Sequence, residues 1–184
     1  MANNFTNRDG FIWVNGQFIA WRDAKTHIIS QGLHYGSAVF EGERAYNGVI
    51  FKSKEHTDRL FKSAEIVGME IPYTKEIINN AKIELLKKMN FKNCYLRPLV
   101  WRGGQQMGIS TTDSDINVSI AAWEDWTSYF KMEDRLAGIK LITSPWRRPS
   151  PDSSPHEAKS SGVYVICTMS KEFAEKKGYH DALM

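Results

Sequence analysis

The alternation of apolar and polar positions divides the chain into short strands and helices. Residues 12–19 and 45–51 each hold two β-prone runs around an Asn-Gly pair, which is the strongest short-range signal for a β-hairpin. Residues 93–101 and 117–123 read as longer strands, the first with period-two alternation. The pattern therefore predicts an antiparallel sheet.

Apolar residues at helical spacing predict two helices between the second hairpin and the strand at 93–101. The first covers residues 54–67 and ends at Gly68, which can adopt the left-handed conformation that stops a helix. The second covers residues 75–89, with Thr74 as its candidate N-cap. Both helices are expected to bury one apolar face.

The strand pattern breaks at residues 124–135, where polar and aromatic side chains alternate irregularly. Such a break is typical of a linker between domains. Beyond it, residues 139–143 predict a strand and residues 161–177 a helix. We therefore predict a small N-terminal domain over residues 1–123, a linker over 124–135, and the incomplete start of a second domain over 136–184.

Composition and charge exclude several classes of partner. The chain has 24 Lys and Arg and 21 Asp and Glu residues, interleaved and with a net charge of +3, so no basic stripe indicates nucleic acid. No apolar run predicts a membrane span or a signal peptide, and we expect a cytoplasmic location. Cys94 and Cys167 lie far apart in apolar surroundings and predict buried thiols, and the five scattered histidines predict no metal site.

One lysine, Lys159, stands among small residues just before the predicted helix over 161–177. An amine in this setting can be held against a bound carbonyl compound, as a Schiff-base lysine requires. The alternative is a solvated lysine in a polar loop. Tyr164 would fall in the first turn of the helix, close enough for both side chains to address one ligand.

A glycine-rich segment over residues 30–44 carries aromatic side chains. Its glycines allow close backbone approach, so Tyr35 and Phe40 could wall a pocket, or they could lie in the core. Arg59 lies on the flank of the apolar face of the first helix. It could point inward at an anion or extend outward to solvent.

The strand over residues 93–101 places Tyr95 and Arg97 on one face. An arginine on a half-buried face is costly unless an anion satisfies it, which favours a functional role. Pro98 lacks an N–H group, and we expect it to limit this strand to an edge or a bulge.

Taken in order, these residues resemble the branched-chain-amino-acid aminotransferases, pyridoxal-phosphate enzymes of fold type IV. The resemblance implies an α+β fold of the D-amino-acid-aminotransferase type. In that fold an N-terminal two-layer α/β sandwich with an antiparallel sheet precedes a mixed, barrel-like cofactor-binding domain. The matching segments are His34-Tyr35-Gly36, Val39-Phe40-Glu41-Gly42-Glu43-Arg44, Asp58-Arg59-Leu60, Tyr95-Leu96-Arg97-Pro98-Leu99, and Ala158-Lys159 with Gly162 and Tyr164.

The resemblance also implies an activity, a cofactor and a role for each matched residue. Lys159 would form a Schiff base with pyridoxal 5′-phosphate and move the proton at the substrate α-carbon, while Arg59 binds the phosphate and Tyr164 the pyridine 3′-oxygen. The amino group of Leu, Ile or Val would pass to 2-oxoglutarate in a homodimer or larger homo-oligomer. The implied substrate-binding residues are Tyr35 from the neighbouring subunit, Phe40, Gly42, Tyr95, Arg97 and Tyr129.

The resemblance also sets limits. Members of that family continue beyond Met184, and the further part carries the glutamate that pairs with the pyridine nitrogen. We therefore expect a chain truncated at its C-terminus, and these 184 residues alone to be inactive. The rival interpretations are a D-amino-acid aminotransferase or an aminodeoxychorismate lyase, which would share Lys159 and Arg59, and a non-catalytic remnant.

Overall fold

The computed structural model describes residues 4–105, 108–112, 114–124 and 136–184. Its main feature is an antiparallel sheet with strand order β2-β1-β7-β6-β4-β5, in which β3 also pairs with β6. This confirms the predicted antiparallel sheet. The strands are β1 (Phe11–Val14), β2 (Gln17–Ala20), β3 (Ala38–Phe40), β4 (Glu43–Tyr46), β5 (Val49–Ile50), β6 (Cys94–Arg102) and β7 (Ile116–Trp123).

Both predicted hairpins are present, between β1 and β2 and between β4 and β5. The central residues of each turn have positive φ, at 47° and 90° for Asn15 and Gly16 and at 51° and 81° for Asn47 and Gly48. A type I′ turn needs positive φ at both positions, and Asn-Gly adopts it at low cost.

Four α-helices are described: α1 (Gln31–Tyr35), α2 (Ser53–Ile66), α3 (Lys75–Met89) and α4 (Val165–Lys176). The Thr74 hydroxyl accepts a hydrogen bond from the Ile77 N–H group at 3.2 Å, which confirms the predicted N-cap of α3. The predicted helix over 161–177 begins with a 3-10 turn at Ser161–Tyr164, which leads directly into α4.

The hydrophobic core lies between the sheet and the helices α2 and α3. Side chains on one face of β6, such as Leu96 and Val100, are fully buried there with Leu60 of α2 and with Ile78 and Leu85 of α3. Each such side chain stabilises the fold by about 1.5–3 kcal/mol. The predicted two-layer arrangement of helices on a sheet is therefore confirmed.

The position of Pro98 excludes the edge, one of the two alternatives predicted for this strand. Strand β6 is not at the edge of the sheet, because it pairs with β7 on one side and with β3 and β4 on the other. The carbonyl of Pro98 accepts a hydrogen bond from the Glu41 N–H group at 2.9 Å. The nitrogen of a strand residue points to the same neighbour as its carbonyl. The missing N–H group therefore faces residues 41–42, where β3 has ended and β4 has not begun.

The last part of the chain forms a second, smaller sheet. Strand β8 (Leu141–Thr143) pairs in parallel with β9 (Asp181–Leu183), and α4 lies between them in sequence. The division into residues 1–123, 124–135 and 136–184 stays a prediction, because residues 125–135 lie outside the described residues. Within the described ranges, no helix combines the length and apolar character needed to span a bilayer.

The two cysteines are free thiols. Cys94 is buried, as predicted, and burial raises the pKa of its thiol to about 11. Cys167 is only half-buried.

Candidate active site

Lys159 belongs to the C-terminal part of the chain, in a segment that contacts α2 and strand β3 of the first sheet. Its N–H group donates to the Ser63 hydroxyl at 3.0 Å, and its carbonyl accepts from the Phe40 N–H group at 3.1 Å. The next residue, Ser160, forms an isolated antiparallel bridge with Val39. The main chain of Lys159 is thus fixed against α2 and β3.

The amine of Lys159 occupies an aromatic corner. The Nζ atom donates a hydrogen bond to the Tyr164 hydroxyl and lies 4.7 Å from the centroid of the Phe40 ring. The rings of Phe40 and Tyr164 meet edge to face, with centroids 4.9 Å apart. The 3-10 turn between residues 159 and 164 folds the tyrosine back over the lysine. The structure therefore favours a held amine over a solvated one.

Arg97 and Tyr95 adjoin this corner from β6. The Arg97 Nη2 atom donates to the Tyr95 hydroxyl at 2.8 Å, and the guanidinium lies 4.8 Å from the centroid of the Phe40 ring. Among the described residues the Nε atom of Arg97 is buried and has no hydrogen-bond partner. A buried donor without an acceptor costs about 1–3 kcal/mol, so this position is suited to a carboxylate ligand.

Gly42 leaves the space that the Tyr95 side chain fills. A Cβ atom added at residue 42 would clash with the Tyr95 hydroxyl. A larger residue at position 42 would therefore displace the Tyr95 side chain.

A second polar cluster lies beside the corner, at the bend between β3 and β4. The Glu41 carboxylate, with no exposed side-chain surface, accepts from the Arg59 Nε and Nη2 atoms at 2.5 and 2.7 Å and hydrogen-bonds to His56 at 2.8 Å. Burial opposes the charge of Glu41, but the hydrogen bonds from Arg59 and His56 outweigh it and lower its pKa. Arg59 has its own pKa raised by Glu41, partly offset by desolvation, with a smaller effect from Tyr164.

An apolar groove of about 430 Å³ follows the face of the sheet that α2 and α3 leave uncovered. Arg97 lines this groove, together with Ser161, which lies two residues after Lys159. The groove thus combines an apolar surface with two cationic side chains, those of Arg97 and Lys25. Its sheet residues include Ile12, Val14, Leu99, Trp101 and Ala121.

Most of the residues singled out from the sequence are brought together. The ring of Phe40 contacts the charged groups of both Lys159 and Arg97, and the next residue in the chain, Glu41, holds Arg59. The members of this cluster are Phe40, Gly42, Arg59, Tyr95, Arg97, Lys159 and Tyr164.

Two predicted site residues are not in the cluster. Tyr35 ends α1 with 46% of its surface exposed and lines a separate cavity of about 280 Å³ together with Ser160 and Gly162. Tyr129 lies outside the described residues.

Three residues at the site were assigned no role from the sequence: Glu41, His56 and Ser63. His56 and Ser63 lie three and four residues from Arg59 on α2, so helical spacing places them close to its face. That spacing was the available signal. It could not identify the partners of these side chains, because Glu41 and Lys159 are distant in sequence.

Comparison with known proteins identifies the class to which this site belongs. The family profile described as Amino-transferase class IV matches residues 38–184. The match covers most of the chain and includes every member of the cluster. The chain therefore belongs to the class-IV aminotransferases.

Individual relatives agree with this family and with the predicted resemblance. The chain is 41% identical over its whole length to a probable branched-chain-amino-acid aminotransferase of Rickettsia bellii. It is 40% identical, over 98% of its length, to the branched-chain-amino-acid aminotransferase of Pseudomonas aeruginosa. It spans 62% and 60% of the lengths of these two proteins.

Solved structures show the same fold. The enzyme of Thermoproteus uzoniensis, a branched-chain aminotransferase solved with norvaline, matches with a TM-score of 0.89 at 31% identity, covering 96% of this chain and 60% of that one. The T.th. branched-chain amino acid aminotransferase, solved with pyridoxamine 5′-phosphate, matches with a TM-score of 0.90 at 38% identity, covering 96% of this chain and 59% of that one. The predicted fold class is therefore confirmed.

Proposed function

We propose that this protein is a pyridoxal-phosphate-dependent transaminase that moves the amino group of Leu, Ile or Val to 2-oxoglutarate. The observation that carries the proposal is the Lys159 amine, held against Tyr164 and Phe40 and bordered by Arg97. Such a reaction uses an amine, a phenol and a cation close together, and Lys159, Tyr164 and Arg97 supply them here.

The side chains present fit the cofactor. Lys159 would hold its aldehyde carbon, Tyr164 its 3′-oxygen and Arg59 its phosphate, since a guanidinium matches phosphate geometry. When bound, pyridoxal phosphate supplies an aldehyde that condenses with amines and a ring that withdraws electrons from the substrate α-carbon. The T.th. enzyme, solved with pyridoxamine 5′-phosphate and with N-(5′-phosphopyridoxyl)-L-glutamate, supports this assignment.

The lysine also moves the proton in this proposal. Its Nζ atom would take the proton from the substrate α-carbon as a general base and would hold it for return as a general acid. The hydrogen bond to Tyr164 orients the amine. The hydrogen bonds of the Lys159 main chain with Ser63 and Phe40 fix its backbone, so that only its side chain has to move.

Arg97 and Tyr95 explain how one site could take two kinds of substrate. Tyr95 would help to hold the α-carboxylate, and Arg97 would bind the distal carboxylate of glutamate. The apolar side chains of Leu, Ile and Val would lie against Phe40, with Gly42 giving room for Tyr95. The T.th. enzyme, solved with 4-methylvaleric acid and with the phosphopyridoxyl adduct of glutamate, supports the dual specificity.

Tyr35 and Tyr129 would complete this pocket. Because Tyr35 lies apart from the cluster in its own chain, its proposed role requires a neighbouring subunit, and a homodimer is the smallest active unit. Free amino acids and 2-oxo acids as substrates agree with the cytoplasmic location expected from the sequence.

Amino transfer by the full product of the gene tests this function. We expect L-Leu, L-Ile and L-Val to donate to 2-oxoglutarate, and D-Ala to donate far more slowly. Faster reaction with D-Ala would support a D-amino-acid aminotransferase instead. Lys159→Ala should lower kcat by about 10³-fold or more, whereas Lys176→Ala, at a lysine with 72% of its side chain exposed, should leave it unchanged.

A further inference from the structure

The sequence-derived site leaves the buried charge of Glu41 without a function. Its side chain has no exposed surface, yet it lies between Phe40 and Gly42, two residues of the proposed pocket. A buried carboxylate is costly unless it is paired and hydrogen-bonded. Its three hydrogen bonds from Arg59 and His56 satisfy it, and they engage only part of the Arg59 guanidinium.

The geometry of the Arg59 contact is directional. Glu41 occupies the Nε–Nη2 edge of the guanidinium and leaves the Nη1 end free of it. Because 55% of the Arg59 side chain is exposed and Glu41 covers the other edge, we take the Nη1 end as the one that a ligand would meet. A guanidinium held along one edge by a fixed carboxylate can present the other edge to an anion without rearrangement.

The main chain around Glu41 connects this cation to the lysine. The Phe40 N–H group donates to the Lys159 carbonyl at 3.1 Å, and the Glu41 N–H group donates to the Pro98 carbonyl at 2.9 Å. One peptide segment therefore fixes the Lys159 main chain and, through the Glu41 side chain, Arg59. These are the two residues proposed to hold opposite ends of the cofactor.

We propose that Glu41 is a positioning residue that orients Arg59 for the cofactor phosphate and sets its distance from Lys159. This inference rests on the proposed function, since it takes Arg59 as the phosphate ligand. Glu41 itself touches neither cofactor nor substrate in this scheme. The opposite relation, in which Glu41 competes with phosphate for Arg59, is excluded or supported by the same experiment.

The experiment compares the binding of pyridoxal 5′-phosphate with that of pyridoxal, which lacks the phosphate. Dissociation constants are measured by tryptophan fluorescence on the full product of the gene, freed of cofactor. We expect Glu41→Gln to raise the dissociation constant of pyridoxal 5′-phosphate by about ten- to a hundredfold, the effect of losing a hydrogen bond to a charged group. Binding of pyridoxal should stay the same. Both affinities should also be unchanged in Glu65→Gln, at a glutamate of α2, the helix of Arg59, with 72% of its side chain exposed.

Other outcomes would overturn the inference. Equally weaker binding of pyridoxal 5′-phosphate and pyridoxal would show that Glu41 has a structural role only. Unchanged affinities would show that it has no role. Tighter binding of pyridoxal 5′-phosphate would show that Glu41 competes with the phosphate for Arg59. If Glu41→Gln does not fold, Glu41→Asp keeps the charge but shortens its reach, and the same selective loss is expected. The double variant with Arg59→Ala should show no further loss beyond Arg59→Ala alone.

Arg59→Ala also separates this inference from the proposed function. A selective loss in Arg59→Ala without one in Glu41→Gln would contradict the positioning role alone. If Arg59→Ala shows no selective loss, Arg59 is not the phosphate ligand, and both proposals fail at this residue.

Discussion

Two buried carboxylates, Glu41 and Glu43, lie on either side of Gly42 and have different surroundings. Glu41 pairs with Arg59, which is 55% exposed and reaches the site. Glu43 pairs at 2.6 Å with Lys82 of α3, and neither side chain of that pair has exposed surface. The first pair lies at the border of the proposed cofactor site, and the second lies inside the core.

The difference shows how a buried charge can serve either a site or the fold. Hydrogen bonds from Arg59 and His56 overcome the burial of Glu41 and lower its pKa, whereas burial raises the pKa of Glu43 despite its contact with Lys82. Lys82, whose pKa is lowered by burial, also donates to the Thr57 hydroxyl at 2.7 Å. Lys82, the partner of Glu43, is thus fully buried, whereas Arg59, the partner of Glu41, is partly exposed.

Removing one member of the core pair should give the largest effect. Lys82→Met leaves Glu43 buried without its cation, and we expect a loss of about 3–5 kcal/mol in the free energy of unfolding. Urea denaturation measures it. Lys62→Met, at a lysine with 63% of its side chain exposed, should change stability by less than about 1 kcal/mol.

Removing both charges sharpens the same comparison. The double variant Lys82→Met with Glu43→Gln should recover part of the lost stability, because no uncompensated charge remains buried. A double variant less stable than Lys82→Met alone would show that Glu43 stabilises the core independently of Lys82.

A methyl group between the two carboxylates should have a smaller effect, directed at the pocket. Gly42→Ala would displace the Tyr95 hydroxyl, with an expected destabilisation of about 1–3 kcal/mol and a raised KM for L-Leu. Adding Tyr95→Phe removes the clashing oxygen, so the double variant should recover the stability but not the hydroxyl's contribution to binding. An unchanged KM in Gly42→Ala would contradict the placement of Tyr95 in the pocket.

The smallest expected effect is a pH dependence of stability that comes from Glu41. Because its folded-state pKa lies below the ordinary 4.5, ionised Glu41 stabilises the fold above that value, and the contribution is lost as the pH falls through the folded pKa. The difference in unfolding free energy between wild type and Glu41→Gln should therefore shrink as the pH falls from neutral to below the ordinary value. A difference independent of pH would show that Glu41 is not charged in the folded protein.

Local patterns predicted much of this fold from the sequence. The Asn-Gly hairpins, the Thr74 cap and the stop at Gly68 depend on residues close in the chain, and the structure has them where they were expected. Of the edge and the bulge expected at Pro98, the edge was wrong, because β6 has neighbouring strands on both sides. The cost of a proline in a strand depends on which residues lie opposite, and local sequence does not contain that information.

The sequence predicted which residues form the site but not the contacts between them. Family resemblance identified Lys159, Tyr164 and Arg59 as members, but the bond from Lys159 to Ser63 joins residues 96 positions apart. The pairing of Glu41 with Arg59 across 18 positions also depends on how α2 packs on the sheet. Such contacts follow from tertiary packing, for which the chain carries no local signal.

The most direct test of the central claim locates the covalent bond to the cofactor. The full product of the gene is incubated with pyridoxal 5′-phosphate, reduced with borohydride, digested and mapped by mass spectrometry. The account predicts a stable phosphopyridoxyl group on the peptide that contains Lys159, and none in Lys159→Ala. A label at another lysine, or none in the wild-type protein, would contradict it.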